Sequence, residues 1–248
     1  MPTPPINFDD QLRYLQLHSI LENYPHVLAK TAEKSRSFHD ALEELVAGEV
    51  QRRFQKSVEY RLKNARFPLV KTREQFNWLH PKKINRDHIL SLFRLDFLAA
   101  HTNVIFLGGV GVGKTHLAIA LAYHACQQAY SVLFATAIEI VNHLSAALRA
   151  HDFAAALRTY RAPQLLVIDE LGYIPIDKQG ADLLFQVISQ RYEHGSIVLT
   201  TNRAFKDWPA IFNQDSVMTS ALLDRLHHHC EVVVIEGPSY RMKDHPQK

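Results

Sequence analysis

The chain has 248 residues, 47% hydrophobic and 21% charged, a balance that excludes a disorder-dominated protein. No apolar run reaches the roughly 18 residues of a membrane span, the start MPTPPINFDDQ lacks a signal-peptide pattern, and two cysteines, Cys126 and Cys230, are too few for a disulfide framework. These features predict a cytoplasmic protein with no membrane partner. The formal net charge is only +3, yet residues 51–94 hold 12 Lys and Arg against 3 Asp and Glu, so +9 is packed into one stretch.

In chain order, residues 1–7 read as a disordered tail, with three prolines in the first five positions. Leu12, Leu15, Leu17, Ile20, Leu21 and Tyr24 predict a helix over 9–29. A longer helix follows, carried by Phe38, Leu42, Leu45, Val46, Val50, Phe54, Val58, Leu62 and Ala65. Phe67-Pro68 ends it, because the residue before proline disfavours helix. Residues 1–66 therefore form a helical module, 67–95 a connector ending in the start of a short helix at about 88–100, and 96–248 the core. In that core, apolar strands at 103–107, 131–135, 165–169, 196–201 and 231–235 alternate with helices at 114–129, 137–149 and 178–193. Continuous apolar strands separated by helices predict an α/β fold, a parallel sheet flanked by helices on both faces.

The first core strand runs into Gly108-Gly109-Val110-Gly111-Val112-Gly113-Lys114-Thr115, a full GxxxxGK[ST] phosphate loop that opens a helix. Glycines allow the tight turn and close backbone approach to phosphate, and the helix N-terminus adds positive charge. Lys114 is placed to reach the β- and γ-phosphates, and Thr115 to ligate Mg²⁺. A dinucleotide site is excluded, since no acidic residue ends strand 131–135.

Strand 165–169 ends in Asp169-Glu170. Asp169 suits Mg²⁺ coordination, and Glu170 suits activation of a water. The candidate ATP and Mg²⁺ set is thus Gly108 to Thr115, the following His116, and Asp169, with Thr115 and Asp169 on the metal. Asn202, at the end of strand 196–201, either holds that water or simply forms a turn. Arg225, in Ala-Leu-Leu-Asp-Arg-Leu, either reaches the γ-phosphate of a neighbouring subunit or pairs with a nearby acid such as Asp224. Arg241 either contacts nucleotide or caps the last strand region. The candidate catalytic residues are Lys114, Glu170, Asn202 and Arg225. His227-His228-His229 stands beside Cys230, but three adjacent helical residues point in different directions, so no structural metal is expected there. The basic excess nominates Arg52, Arg53, Lys56, Lys63, Arg66, Lys71, Arg73, Lys82 and Lys83 as DNA-phosphate contacts. No base-reading motif accompanies them.

Taken together, these motifs resemble the IstB-like family of AAA+ ATPases, helpers of insertion-sequence transposition that are similar to the helicase loader DnaC. The resemblance rests on Ala65-Arg66-Phe67-Pro68-Leu69-Val70-Lys71-Thr72, the phosphate loop through Ala118, and Leu166-Val167-Ile168-Asp169-Glu170-Leu171-Gly172. It extends to Thr200-Thr201-Asn202-Arg203, Ser220 to Leu226 with His228-His229, and Val234 to Arg241. It implies a P-loop NTPase of AAA+ type with an N-terminal adaptor and little or no C-terminal lid. It also implies ATP hydrolysis, duplex DNA, a partner transposase and a homo-oligomer with ATP sites between subunits. In that pattern Asn202 resembles a sensor-1 residue and Arg225 an arginine finger, while Arg241 takes no firm role. A DnaC-like helicase loader and a weakly hydrolysing nucleotide-switched scaffold are the alternatives.

Overall fold

The computed structural model describes residues 7–34 and 36–242. They fall into two compact units, Met1–Tyr60 and Arg61–Lys248. Beyond Asn7, the expected tail lies outside the described residues.

The first unit is helical. Asn7 caps α1 (Phe8–Tyr14) by accepting the Asp10 N–H at 2.8 Å. The single helix expected over 9–29 is in fact two, because Gln16 turns the chain at φ 57° before α2 (His18–Lys34). The buried carboxylate of Glu49, on α3 (Phe38–Asn64), accepts the Ser19 N–H at 2.8 Å and pairs with Arg53, tying α3 to the start of α2. Phe38, Leu42, Val46, Val50 and Phe54 are exposed, so the apolar periodicity that predicts α3 does not translate into burial within this unit.

The second unit contains the sheet. α3 runs into it and ends at Asn64. Fully buried Ala65 then gives its carbonyl to the Phe134 N–H at 2.8 Å. An extended connector leads to α4 (Arg86–Leu92), capped by Asn85, and α5 (Asp96–Ala99). The one helix expected at 88–100 is split because Leu95 takes φ 64°.

Five strands follow: β1 (Asn103–Gly108), β2 (Val132–Thr136), β3 (Leu165–Leu171), β4 (Ser196–Thr201) and β5 (Cys230–Ile235). All pairings are parallel, in the order β2-β3-β4-β1-β5. Intervening helices are α6 (Lys114–Gln127), α7 (Ala137–Arg149), α8 (Phe153–Arg161), α9 (Lys178–Arg191) and α10 (Ser216–His227). α8 and a 3-10 turn at Phe205–Ala210 around buried Trp208 add to the elements legible in the sequence.

Alternate strand residues enter two cores. Leu133, Leu166, Ile168, Ile197 and Leu199 pack with α7, α9 and α10; Val132, Phe134, Leu165, Val167 and Val198 pack with α4, α5 and α6. This period of two puts a helical layer on each face, which explains why both faces of each central strand read as apolar. Among the described residues, no helix is long and apolar enough to cross a membrane.

Candidate nucleotide-binding site

The strand order decides which loops meet. β4 lies between β1 and β3, so the C-terminal ends of β1, β3 and β4 sit side by side at one edge of the sheet. That edge carries the loop 109–113, Asp169-Glu170 and Thr200-Thr201-Asn202. In open α/β sheets, ligands bind outside these ends.

The loop is held by contacts from distant segments. Gly111 has φ 75°, and a Cβ there would stand 2.1 Å from Ser239 Oγ. Its carbonyl accepts the Tyr240 N–H at 2.9 Å. At Gly113, with φ 100°, a Cβ would meet the Phe76 ring at 2.5 Å. Gly113 starts α6 without a side-chain cap, so the first turn of that helix directs uncapped N–H groups toward the loop. Lys114 donates from Nζ to the Gly109 carbonyl at 2.6 Å.

Asp169 is buried at the end of β3, where its Oδ1 accepts from Thr115 Oγ1 at 2.9 Å and from Thr200 Oγ1 at 2.5 Å. Thr200 Oγ1 also accepts the Glu170 N–H at 3.0 Å. Glu170 sits at φ 60°, where the β3–β4 register shifts between Ile168 and Leu171. This local irregularity turns the Glu170 side chain out of the sheet and exposes it. Asn202 Oδ1 is buried without a protein hydrogen-bond partner.

Lys114, Thr115, Glu170, Thr200, Asn202 and Arg241 line one cavity of about 660 Å³. Burial pushes the Lys114 pKa down; Asp169 and Glu170 oppose that shift, and Arg241 adds to it. An anionic ligand in the cavity would restore the favourable environment for the ammonium. His116 joins the wall, donating from Nε2 to the Thr72 carbonyl at 2.9 Å and meeting Phe76 edge-on. Burial holds its pKa below the ordinary value.

The connector supplies the rest of the wall, including Pro68, Leu69, Gln75, Asn77 and His80. His80 contacts the Pro238 carbonyl and stacks edge-on against Tyr240, and Lys83 pairs with Glu236 through both backbone hydrogen bonds. No motif marked Phe76 or His80, and Thr200 and Ser239, though they fall in stretches that carry the family resemblance, had no role assigned to them. Thr200 alone had a local signal, as a hydroxyl on a strand that ends polar.

The other expected residues stand apart. Arg225, on α10, donates to the Ala221 carbonyl, lies over the Phe185 ring at 4.7 Å and is absent from the cavity wall. Of the nine basic residues nominated for DNA, Arg52, Arg53 and Lys56 belong to the first unit and the other six to the second. Lys71 lines the cavity, while Arg53, Arg73 and Lys83 already pair with Glu49, Glu74 and Glu236.

A phosphate loop, an adjacent acidic pair and a polar strand end meet here in the arrangement of a P-loop nucleotide site. Residues 10–248 match the family described as IstB-like ATP binding protein. The chain belongs to this family. Its relatives include the protein named as the ATP-binding protein of insertion sequence IS232 from Bacillus thuringiensis subsp. berliner, 38% identical over 96% of this chain and 94% of that one. Among solved structures, AMPPCP-bound DnaA from Aquifex aeolicus aligns with a TM-score of 0.57 and 18% identity over 71% of this chain and 53% of that one. The DnaC helicase loader aligns with a TM-score of 0.52 and 22% identity over 63% and 93%. These likenesses establish the AAA+ P-loop fold of this IstB-like chain.

Proposed function

We propose that this IstB-like protein is an ATPase that assembles on duplex DNA and assists a partner transposase, with ATP hydrolysis controlling the assembly. The observation that carries the ATPase reading is the single cavity lined by Lys114, Thr115, Glu170 and the unpartnered Asn202. The insertion-sequence relative carries the transposition reading.

In this reading the loop Gly108–Gly113, Lys114, Thr115 and His116 bind the nucleotide. Mg²⁺ fits the hydroxyl of Thr115 beside the carboxylate of Asp169, and would supply Lewis-acid charge to the phosphate oxygens. Lys114 adds positive charge at the same place. Glu170, exposed and turned into the cavity by its backbone, accepts the proton of the attacking water. Asn202 Oδ1 accepts a hydrogen bond from that water and orients it. Arg225 acts on the site of a neighbouring copy, which fits its position outside the cavity of its own chain.

Residues 1–66 serve as the adaptor and DNA-binding module, 67–95 as the connector and 96–248 as the ATPase core. The basic excess of residues 51–94 supports contacts to DNA phosphates by Arg52, Arg53, Lys56, Lys63, Arg66, Lys71, Arg73, Lys82 and Lys83. The work is done in the cytoplasm.

The test is ATP turnover with and without duplex DNA and transposase, in the native chain and in Glu170→Gln. The native chain should hydrolyse ATP, and Glu170→Gln should retain ATP and duplex binding while turnover falls at least 100-fold. Unchanged turnover in Glu170→Gln would remove the role given to Glu170. A rate raised only by a replicative helicase or single-stranded DNA would favour the loader reading, and no turnover at all a nucleotide-switched scaffold.

A further inference from the structure

α9 and α10 end side by side, and their ends bring together three metal-ligating side chains. α9 stops at Arg191, and Glu193 reverses the chain at φ 60°. α10 stops at His227, whose ring turns away to meet Phe205 edge-on at 4.3 Å. His228 and His229 then lead toward β5 with their rings 4.2 Å apart. That His227 turns away agrees with the expectation that the three histidines cannot all face one ion, while His228 and His229 come together. The helix ends just before the other two.

We propose that Glu193, His228 and His229 form a site for a Zn²⁺-class transition-metal ion. Their ligand atoms all lie within 4.8 Å of one another, and all three residues are exposed. Two imidazoles and one carboxylate suit zinc, cobalt, nickel or copper rather than magnesium or calcium. Tetrahedral ligands at zinc stand about 3.4 Å apart, given bonds of about 2.0–2.1 Å. Exposed side chains can close that gap by small rotations. Three protein ligands leave a fourth position to water.

A second feature favours a built site. The Tyr192 hydroxyl lies 3.1 Å from His228 Nδ1. That hydroxyl thus restrains one of the three ligands, as outer partners do in metal centres. Tyr192, Glu193 and His229 also share a small recess with Arg225. An ion there would pin the end of α9 to the end of the helix that carries Arg225. The site is separate from the nucleotide cavity and stands whether or not ATP is hydrolysed.

The test is calorimetric titration of the untagged, chelator-stripped full chain with ZnCl₂ alone. Native protein should bind one equivalent. His229→Asn and Glu193→Gln should each weaken that binding at least tenfold, and His227→Asn should leave it unchanged. Because the substituted residues are exposed, all three variants should match the native melting temperature without zinc, and zinc should raise it in the native chain and His227→Asn only. Absence of saturable binding would overturn the proposal. So would equal binding in all variants, or loss in His227→Asn as large as in His229→Asn, since either pattern means adventitious binding by surface histidines.

Discussion

Thr200 Oγ1 donates to Asp169 Oδ1 at 2.5 Å while accepting the N–H of the next residue, Glu170, at 3.0 Å. One buried hydroxyl on β4 therefore orients both carboxylate residues at the end of β3, and helps to hold Glu170 at φ 60°. Thr200→Val keeps the shape and removes both bonds. An orphaned buried group costs about 1–3 kcal/mol, so kcat for ATP should fall roughly 10- to 100-fold while KM changes little. Thr200→Ser should recover most of the rate. Steady-state kinetics of the two variants check this, and an equal loss in both would assign Thr200 to packing instead.

Gly111 and Ser239 make a second pair. Gly111→Ala sets a Cβ 2.1 Å from Ser239 Oγ and also places alanine at φ 75°. ATP should bind at least tenfold more weakly. Adding Ser239→Gly relieves the clash but leaves the left-handed backbone, worth about 1–2 kcal/mol. The double variant should therefore recover part of the affinity. Fluorescent-nucleotide titration of the single and double variants measures both portions.

Arg225 lies outside the wall of its own chain's cavity, which makes its proposed role testable by mixing. Arg225→Ala alone should bind ATP and lose at least about 1,000-fold in turnover, the lower end of the range expected of an arginine finger. Lys114→Ala alone should lose ATP binding. Mixed together, an Arg225→Ala copy keeps an intact loop and receives Arg225 from its Lys114→Ala neighbour, so turnover should reappear. No recovery at any mixing ratio would place Arg225 outside the reaction.

His116 gives a pH signature. Burial lowers its folded pKa below 6.5, while the Thr72 carbonyl partly opposes this and Lys71 adds to it. A base with a depressed folded pKa is protonated first in the unfolded chain. Stability should therefore be unaffected by this group above about pH 6.5 and decline as pH falls from there through the folded pKa. His116→Gln should flatten the decline of the melting-temperature profile below about pH 6.5 relative to the native chain. Parallel profiles would show that other groups govern acid sensitivity.

Much of this protein follows from its sequence because the deciding interactions are local. Apolar runs of five or six residues define the strands, and the loop Gly108–Thr115 is recognisable because its chemistry needs consecutive residues. Asp169-Glu170 and Asn202 are legible as strand ends for the same reason. Helix breaks at Gln16 and Leu95 were not, since neither residue is a glycine or proline and each adopts positive φ only in its packed surroundings. Thr200 over Asp169, Ser239 against Gly111 and Phe76 against Gly113 join positions 31 to 128 residues apart. Glu193 meets His228 and His229 only because α9 and α10 end together. Sequence determined the five strands, the main core helices and the phosphate-loop motif, because period and motif act over a few bonds. Tertiary structure decided which of those groups share a site, because the insertion of β4 between β1 and β3 and the packing of the connector on the phosphate loop depend on long-range burial.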